Sequence, residues 1–176
     1  MLLEKMHKYN FNFGFTKMKK KENIEFYFKS SIYQFNIINN KNIPLYGKGK
    51  NIREWIYVKD HCTALIKIFK SGKLGESYNI GSNNNLSNYQ LVKYLIKVAE
   101  KKIKIGNNVK IIYVKDRPGH DFRYALNSKK LKKNLNWNIK INLSDGLDKT
   151  FSWYLNNLSY FKTLDQKDIN MRFGLK

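Results

Sequence analysis

Ile43-Pro44-Leu45-Tyr46-Gly47-Lys48-Gly49-Lys50-Asn51-Ile52-Arg53-Glu54-Trp55-Ile56-Tyr57-Val58-Lys59-Asp60 holds most of the information about the fold. Residues 43–46 read as a short strand and residues 47–50 as a tight loop. Residues 52–58, β-branched and aromatic, read as a second strand. Asp60 is placed to cap a helix running to about Phe69, with Ala64, Leu65 and Ile68 facing inward. Gly72 and Gly75 punctuate its end. Upstream, Ile32, Phe35 and Ile38 recur every three residues, a short helical stripe, and residues 39–42 form a turn. Downstream, Tyr78-Asn79-Ile80 reads as a strand closed by Gly81. Ser87 with Gln90 makes a capping box that opens a helix to about Lys101, burying Leu91, Val92, Leu95, Ile96 and Ala99. Val109–Val114 reads as another strand, and a short helix near 128–135 leads to Trp137. Ser144 and Asp145 open a last helix with Leu147, Phe151, Trp153 and Leu155 on its apolar side. Strands alternating with helices predict an α/β class. Residues 1–30, with the basic cluster Lys17, Lys19, Lys20 and Lys21, stay unassigned, and the tail from 158 to 176 is weakly patterned.

Composition narrows the function. The 176 residues carry 34 Lys+Arg against 13 Asp+Glu, a formal charge of +21, yet 42% are hydrophobic and 15% aromatic. That apolar content supports a packed core and argues against a disordered basic tail. One cysteine excludes an internal disulfide framework and a four-cysteine zinc site. Cys62 lies beside Ala64 and Leu65, so we expect a packed thiol and not a nucleophile. No apolar run approaches the roughly 20 residues that span a bilayer, and Glu4 and Lys5 come too early for a signal peptide. We therefore expect a cytoplasmic chain with no membrane partner. The charge invites a nucleic-acid reading. The lysines, however, are spread over the whole length, which adds solvated charge without building a face. A basic nucleic-acid-binding module is kept as an alternative only.

In a lysine-saturated chain the arginines deserve the first look, because only a planar fork grips two phosphate oxygens together. Three of the four (Arg53, Arg117 and Arg123) fall in segments with other special residues. Three loops then present groups suited to a phosphate. The first is Pro44-Leu45-Tyr46-Gly47-Lys48-Gly49 with Arg53, where glycines allow close backbone approach and an aromatic can lie on a base. The second is Ser87-Asn88, where free helix N–H groups and the Asn88 amide attract an anion. Taken alone, these two read more simply as a β-turn and an ordinary capped helix. The third, Asp116-Arg117-Pro118-Gly119-His120-Asp121, sets Arg and His about a rigid Pro-Gly corner, which is less usual for a plain surface turn.

Catalytic machinery is the conspicuous gap. There is no G-x-G-x-x-G turn and no Walker A loop. The three histidines (His7, His61 and His120) share no metal-ligand spacing, so no metal is expected. Tyr-x-x-x-Lys occurs at Tyr46/Lys50 and Tyr89/Lys93. The first lies in a glycine loop, and no dinucleotide loop precedes the second, so both read as coincidences.

Taken in order, residues 43–61, Gly75-Glu76-Ser77-Tyr78-Asn79-Ile80-Gly81, and Asp116-Arg117-Pro118-Gly119-His120-Asp121-Phe122-Arg123-Tyr124-Ala125 resemble the C-terminal portion of the dTDP-glucose 4,6-dehydratases. These are nucleotide-sugar enzymes of the extended short-chain dehydrogenase/reductase superfamily. Leu135-Asn136-Trp137 and Ser144-Asp145-Gly146-Leu147 continue the likeness, which covers residues 31–157. The first loop is shared with nucleotide-sugar epimerases and decarboxylases, so a fragment of such an NAD-dependent enzyme is a second alternative. The third loop is more particular to the dehydratases.

The resemblance implies a division of labour. An N-terminal Rossmann half binds NAD and supplies the catalytic residues, and the C-terminal half grips the dTDP-sugar nucleotide. NAD takes hydride from sugar C4, water leaves across C5–C6, and hydride returns to C6. By position, Pro44, Leu45 and Tyr46 would line the thymidine. Arg53, Asn88, Arg117 and His120 would contact the nucleoside and diphosphate, and Asp116, Pro118 and Gly119 would shape their loop. No catalytic residue carries over, and Lys29 has no matching surroundings. The expectation is a truncated chain, the C-terminal substrate-binding part of an extended short-chain dehydrogenase/reductase without its Rossmann half. It would be inactive alone, poorly soluble, and a candidate to pair with a separate chain carrying that half.

Overall fold

The computed structural model describes residues 32–116 and 118–159. The unassigned segment 1–30, Lys29, Arg117 and most of the 158–176 tail lie outside the described residues.

The first helix, α1 (32–38), ends in the turn expected at 39–42, where Asn40 adopts a left-handed φ of 53°. Tyr33, Phe35 and Ile37 are buried, so the helix is covered on more than the expected stripe. β1 (Ile43–Tyr46) follows and pairs in parallel with β4 (Ile111–Val114), in the register Ile43↔Ile111 to Tyr46↔Val114. A second sheet has the order β3-β2-β5. Its central strand β2 (Ile52–Glu54) runs antiparallel to β3 (Asn85–Ser87) and parallel to β5 (Arg123–Tyr124). Both parallel pairs force long crossovers, so the helices α2 (Val58–Ser71), α3 (Asn88–Glu100), α4 (Lys129–Leu135) and α5 (Leu143–Asn156) lie between or beyond paired strands.

Two apolar clusters result. The larger joins Tyr33 and Ile37 of α1, Ile43 and Leu45 of β1, Leu91, Val92, Leu95, Val98 and Ala99 of α3, and Leu147 and Phe151 of α5. Each fully buried leucine there contributes about 1.5–3 kcal/mol of transfer free energy. Ion pairing of Lys102, just past the end of α3, with Asp148 of α5, at 2.9 Å, adds a rim contact. The smaller cluster holds Ala64 and Ile68 of α2, Leu131 and Leu135 of α4, and Trp137.

Several expectations need correction. Asp60 does not cap α2, which starts at Val58 with Tyr57 as an N-cap that makes no side-chain bond. The Asp60 carboxylate is instead buried and accepts the backbone N–H groups of Ile141 at 2.9 Å and Lys140 at 3.3 Å, tying α2 to the approach to α5. Cys62 is exposed. The buried face of α2 is Asp60, Ala64 and Ile68, and two residues on from Asp60 a helix has turned about 200° away. Residues 78–80 form no strand, because no neighbouring strand pairs with them among the described residues; Tyr78 and Ile80 pack on the smaller cluster instead. The last helix is capped by Asn142, whose side chain accepts from Asp145 N at 2.9 Å, two residues before the expected Ser144 start. Trp153 faces outward and Tyr154 takes the buried place. The second strand is cut to three residues because the chain leaves it to enter α2.

The Ser87–Gln90 capping box is present in both directions, at 3.1 and 2.9 Å. Asn136, at φ 48°, closes α4 in the left-handed conformation that asparagine tolerates.

Candidate nucleotide-binding site

β1 alternates as a strand must. Ile43 and Leu45 are fully buried, while Pro44 and Tyr46 are half-buried on the opposite face. The Leu45 side chain is thus part of the core, beneath the loop and not on it. Beyond Tyr46 the chain reverses through Gly47 (φ 55°) and Gly49 (φ 67°), a left-handed geometry that side chains resist. Both glycines are also required by close approach. A Cβ on Gly47 would lie 3.0 Å from Asp116 Oδ2, and one on Gly49 would lie 2.9 Å from Leu45 Cδ1 and 3.2 Å from Tyr89 Cβ.

This loop is a hub. Gly47 N–H donates to Val114 O (2.8 Å), fixing the loop to the end of β4 just before Asp116. Gly49 O accepts Tyr89 N–H (3.0 Å), and Asn51 O accepts Asn88 N–H (3.0 Å), fixing it to the start of α3. The three loops singled out in the sequence therefore meet. The same bonds correct one detail. The first amides of α3 are not free for an anion: Asn88 N–H goes to Asn51 O, Tyr89 N–H to Gly49 O and Gln90 N–H to the Ser87 hydroxyl. What Asn88 has left is its side-chain amide, which bonds to none of the described residues.

Arg53 projects from β2. Its Nη1 donates to Ile52 O at 2.7 Å and its Nη2 to Asp121 O at 2.9 Å, so the fork is held in place by backbone carbonyls. Asn51 Nδ2 donates to the same Asp121 carbonyl at 3.2 Å. In the third loop His120 Nδ1 lies 2.7 Å from Asp116 Oδ1, and its side chain is only 4% exposed. The ring of Tyr46 meets the His120 ring edge to face, with centroids 6.0 Å apart. Pro118 and Gly119 form an exposed turn, with Gly119 at φ 66° and open space where a Cβ would be. Tyr33 lies beneath; its phenol is pushed well above its ordinary value, first by burial and then by the Tyr46 phenol. It stays neutral at any ordinary pH and serves as packing.

Sequence reasoning missed Asn51 and Glu54. Asn51 is buried among turn residues that composition alone marks as surface loop. Glu54 sits beside Arg53, and its carboxylate accepts the backbone N–H of Asn83 (2.5 Å) and of Leu126 (2.8 Å). The one available signal was an acid in the middle of an apolar strand pattern. Among the described residues no cluster of His, Cys, Asp or Glu could hold a metal, and no helix is long and apolar enough to cross a membrane.

Comparison with known proteins gives a consistent pattern. Residues 11–150 match the model of the family described as GDP-mannose 4,6 dehydratase. A dTDP-glucose 4,6-dehydratase of Escherichia coli is 40% identical over 147 residues, covering 80% of this chain and 41% of that protein. A solved dTDP-glucose 4,6-dehydratase of Bacillus anthracis, in complex with NAD, superposes with a TM-score of 0.68 at 37% identity, over 76% of this chain and 41% of its own. DesIV, the dTDP-glucose 4,6-dehydratase of Streptomyces venezuelae, gives 0.67 at 32% identity, over 73% and 38%. The chain thus spans about two fifths of the length of the relatives it matches.

Proposed function

The chain belongs to the GDP-mannose 4,6 dehydratase family, and from that premise we propose that it is the nucleotide-sugar-binding part of a dTDP-glucose 4,6-dehydratase, with residues 31–157 as the binding region. Tyr46 and Pro44 flank the thymidine and Leu45 supports them from the core. Arg53 and Arg117 grip the diphosphate, the Asn88 amide adds a donor, and His120 contacts the nucleotide from a loop shaped by Asp116, Pro118 and Gly119. The observation that carries this reading is the glycine hub: Gly47 and Gly49 hold all three loops at one end of β1 through bonds of 2.8 and 3.0 Å. The second support is the name shared by relatives at 40% identity.

NAD is the cofactor of the whole reaction in this reading. The described residues do not fit it. The strand-to-helix turn into α3 reads Ser87-Asn88-Tyr89-Gln90, without glycines, and its first amides are all taken. No redox step is therefore assigned to these residues. They bind and orient the nucleotide, and binding energy gathered away from the reacting sugar serves catalysis only when the reacting groups are held beside it. A second chain carrying the NAD-binding half is the proposed partner, and Ile66, Phe69 and Leu74, exposed on and just beyond α2, are the apolar surface offered to it.

Calorimetry of the chain with dTDP and with UDP tests the reading. Tighter binding of dTDP supports it, UDP preference moves it to another nucleotide-sugar epimerase or decarboxylase, and binding of neither overturns it. Turnover of dTDP-glucose with NAD by this chain alone would overturn the division of labour.

A further inference from the structure

We infer that Glu54 is a positioning residue that sets the register of the three-stranded sheet on which Arg53, Asn88 and the 116–121 loop come together; the ligand in this inference rests on the nucleotide reading above. β2 is the central strand, and its three residues face β3 on one side and β5 on the other. The ladders are very short. β2 pairs with β3 from Ile52↔Ser87 to Glu54↔Asn85, and with β5 only through Ile52↔Arg123 and Arg53↔Tyr124. Such ladders specify register poorly by themselves, and a slip of one residue would send the Arg53 side chain to the other face.

The end of β2 near the site is tied by backbone and side chain together. Ile52 N–H donates to Phe122 O at 2.7 Å, and Arg53 and Asn51 both donate to Asp121 O. At the far end Glu54 holds both neighbours at once. One carboxylate oxygen accepts Asn83 N–H, two residues before β3. The other accepts Leu126 N–H, two residues after β5. These are charge-assisted bonds to backbone donors, stronger than neutral ones. The fit is close: Asn83 sits at a left-handed φ of 65°, and a Cβ on Gly81 would come within 2.8 Å of the carboxylate. β3 leads straight into Asn88, and β5 follows straight from the loop of His120. One carboxylate thus fixes, through two backbones, where the Asn88 amide and the third loop stand relative to Arg53.

Glu54→Gln tests this, because an amide can accept one of the two N–H groups but turns its own NH2 toward the other. The control is Asp60→Ala, which removes from α2 the carboxylate that holds the backbone N–H groups of Lys140 and Ile141. Amide hydrogen exchange is read first, without ligand. Glu54→Gln is expected to speed exchange at Asn83, at Leu126 and through β3 and β5, whereas Asp60→Ala speeds it at Lys140 and Ile141. The Kd for dTDP is read next, at a temperature where both variants stay folded by circular dichroism. Glu54→Gln is expected to weaken binding about tenfold, the scale of one charge-assisted hydrogen bond, and Asp60→Ala to leave it within about twofold. Unchanged exchange in β3 and β5, or equal loss of affinity in the two variants, overturns the inference. Failure of the unaltered chain to bind dTDP, with the exchange pattern as expected, overturns the nucleotide reading and leaves the register role standing.

Discussion

The two apolar clusters are finished to different degrees. The larger draws on α1, β1, α3 and α5 and closes on itself, with Ile43, Leu45, Leu91, Leu95 and Phe151 at or near zero exposure. The smaller has five buried members from α2, α4 and Trp137, and leaves Ile66 and Phe69 at 45% and 40% exposure on the outer side of α2, with Leu74 at 85% just beyond it. Every candidate nucleotide-binding residue among those described lies on β1, on β2, at the start of α3 or in the loop that follows β4. The candidate site can therefore be self-supporting while the α2 side waits for a surface to cover it. The two regions should fail separately.

The largest effect is expected at Phe151. Phe151→Ala empties the middle of the larger cluster and should cost about 3–5 kcal/mol, taking dTDP binding with it; thermal melting and calorimetry check both. In the smaller region, Asp60→Ala leaves two backbone N–H groups without their acceptor. It should cost about 1–3 kcal/mol in chemical denaturation while the nucleotide affinity of the folded chain holds. Arg53→Lys keeps the charge but loses the fork. It should weaken dTDP binding about tenfold without moving the melting temperature by more than a few degrees.

A pH effect sharpens the comparison. Burial pushes the His61 imidazole, on α2, below its ordinary 6.5. The unfolded chain then binds the proton more readily, so this stabilisation is complete above pH 6.5 and falls as the pH drops through and below that value. His61→Gln should flatten that part of a stability profile between pH 7 and 5. The smallest expected change is in monomer stability for Ile66→Lys combined with Phe69→Lys, within about 0.5 kcal/mol per site. Those changes should nevertheless lower self-association in analytical ultracentrifugation, because they break the exposed apolar surface.

How much of this was legible in the sequence follows the same line. The Ser87–Gln90 box, the glycine loop and the buried face of α3 depend on neighbours a few residues away, and local patterns disclosed them. What escaped was tertiary. Asp60 has the side chain of a cap, but its partners are eighty residues downstream. Cys62 looked buried because apolar neighbours in sequence are not neighbours on a helix face. Free amides were expected at the start of α3 because nothing in Ser87-Asn88 announces that Asn51 and Gly49 will claim them. Tyr78-Asn79-Ile80 has strand composition, but a strand also needs an edge to pair with. The third loop stands out in the sequence because an arginine, a histidine and a Pro-Gly corner are set against a background of lysine.

The parallel pairing of β1 with β4, and of β2 with β5, also sets an order in time. Glu54 meets Leu126 across 72 residues of chain, so as the polypeptide leaves the ribosome the first glycine loop emerges long before anything exists to fasten it. α2 and α3 can form early from local contacts, whereas the ladders must wait for late-emerging partners and bear the full entropy of closing such long loops. The candidate site consequently cannot be assembled until the chain has emerged past Leu126, and until then the unpaired edges of β1 and β2 are open to any other nascent strand nearby.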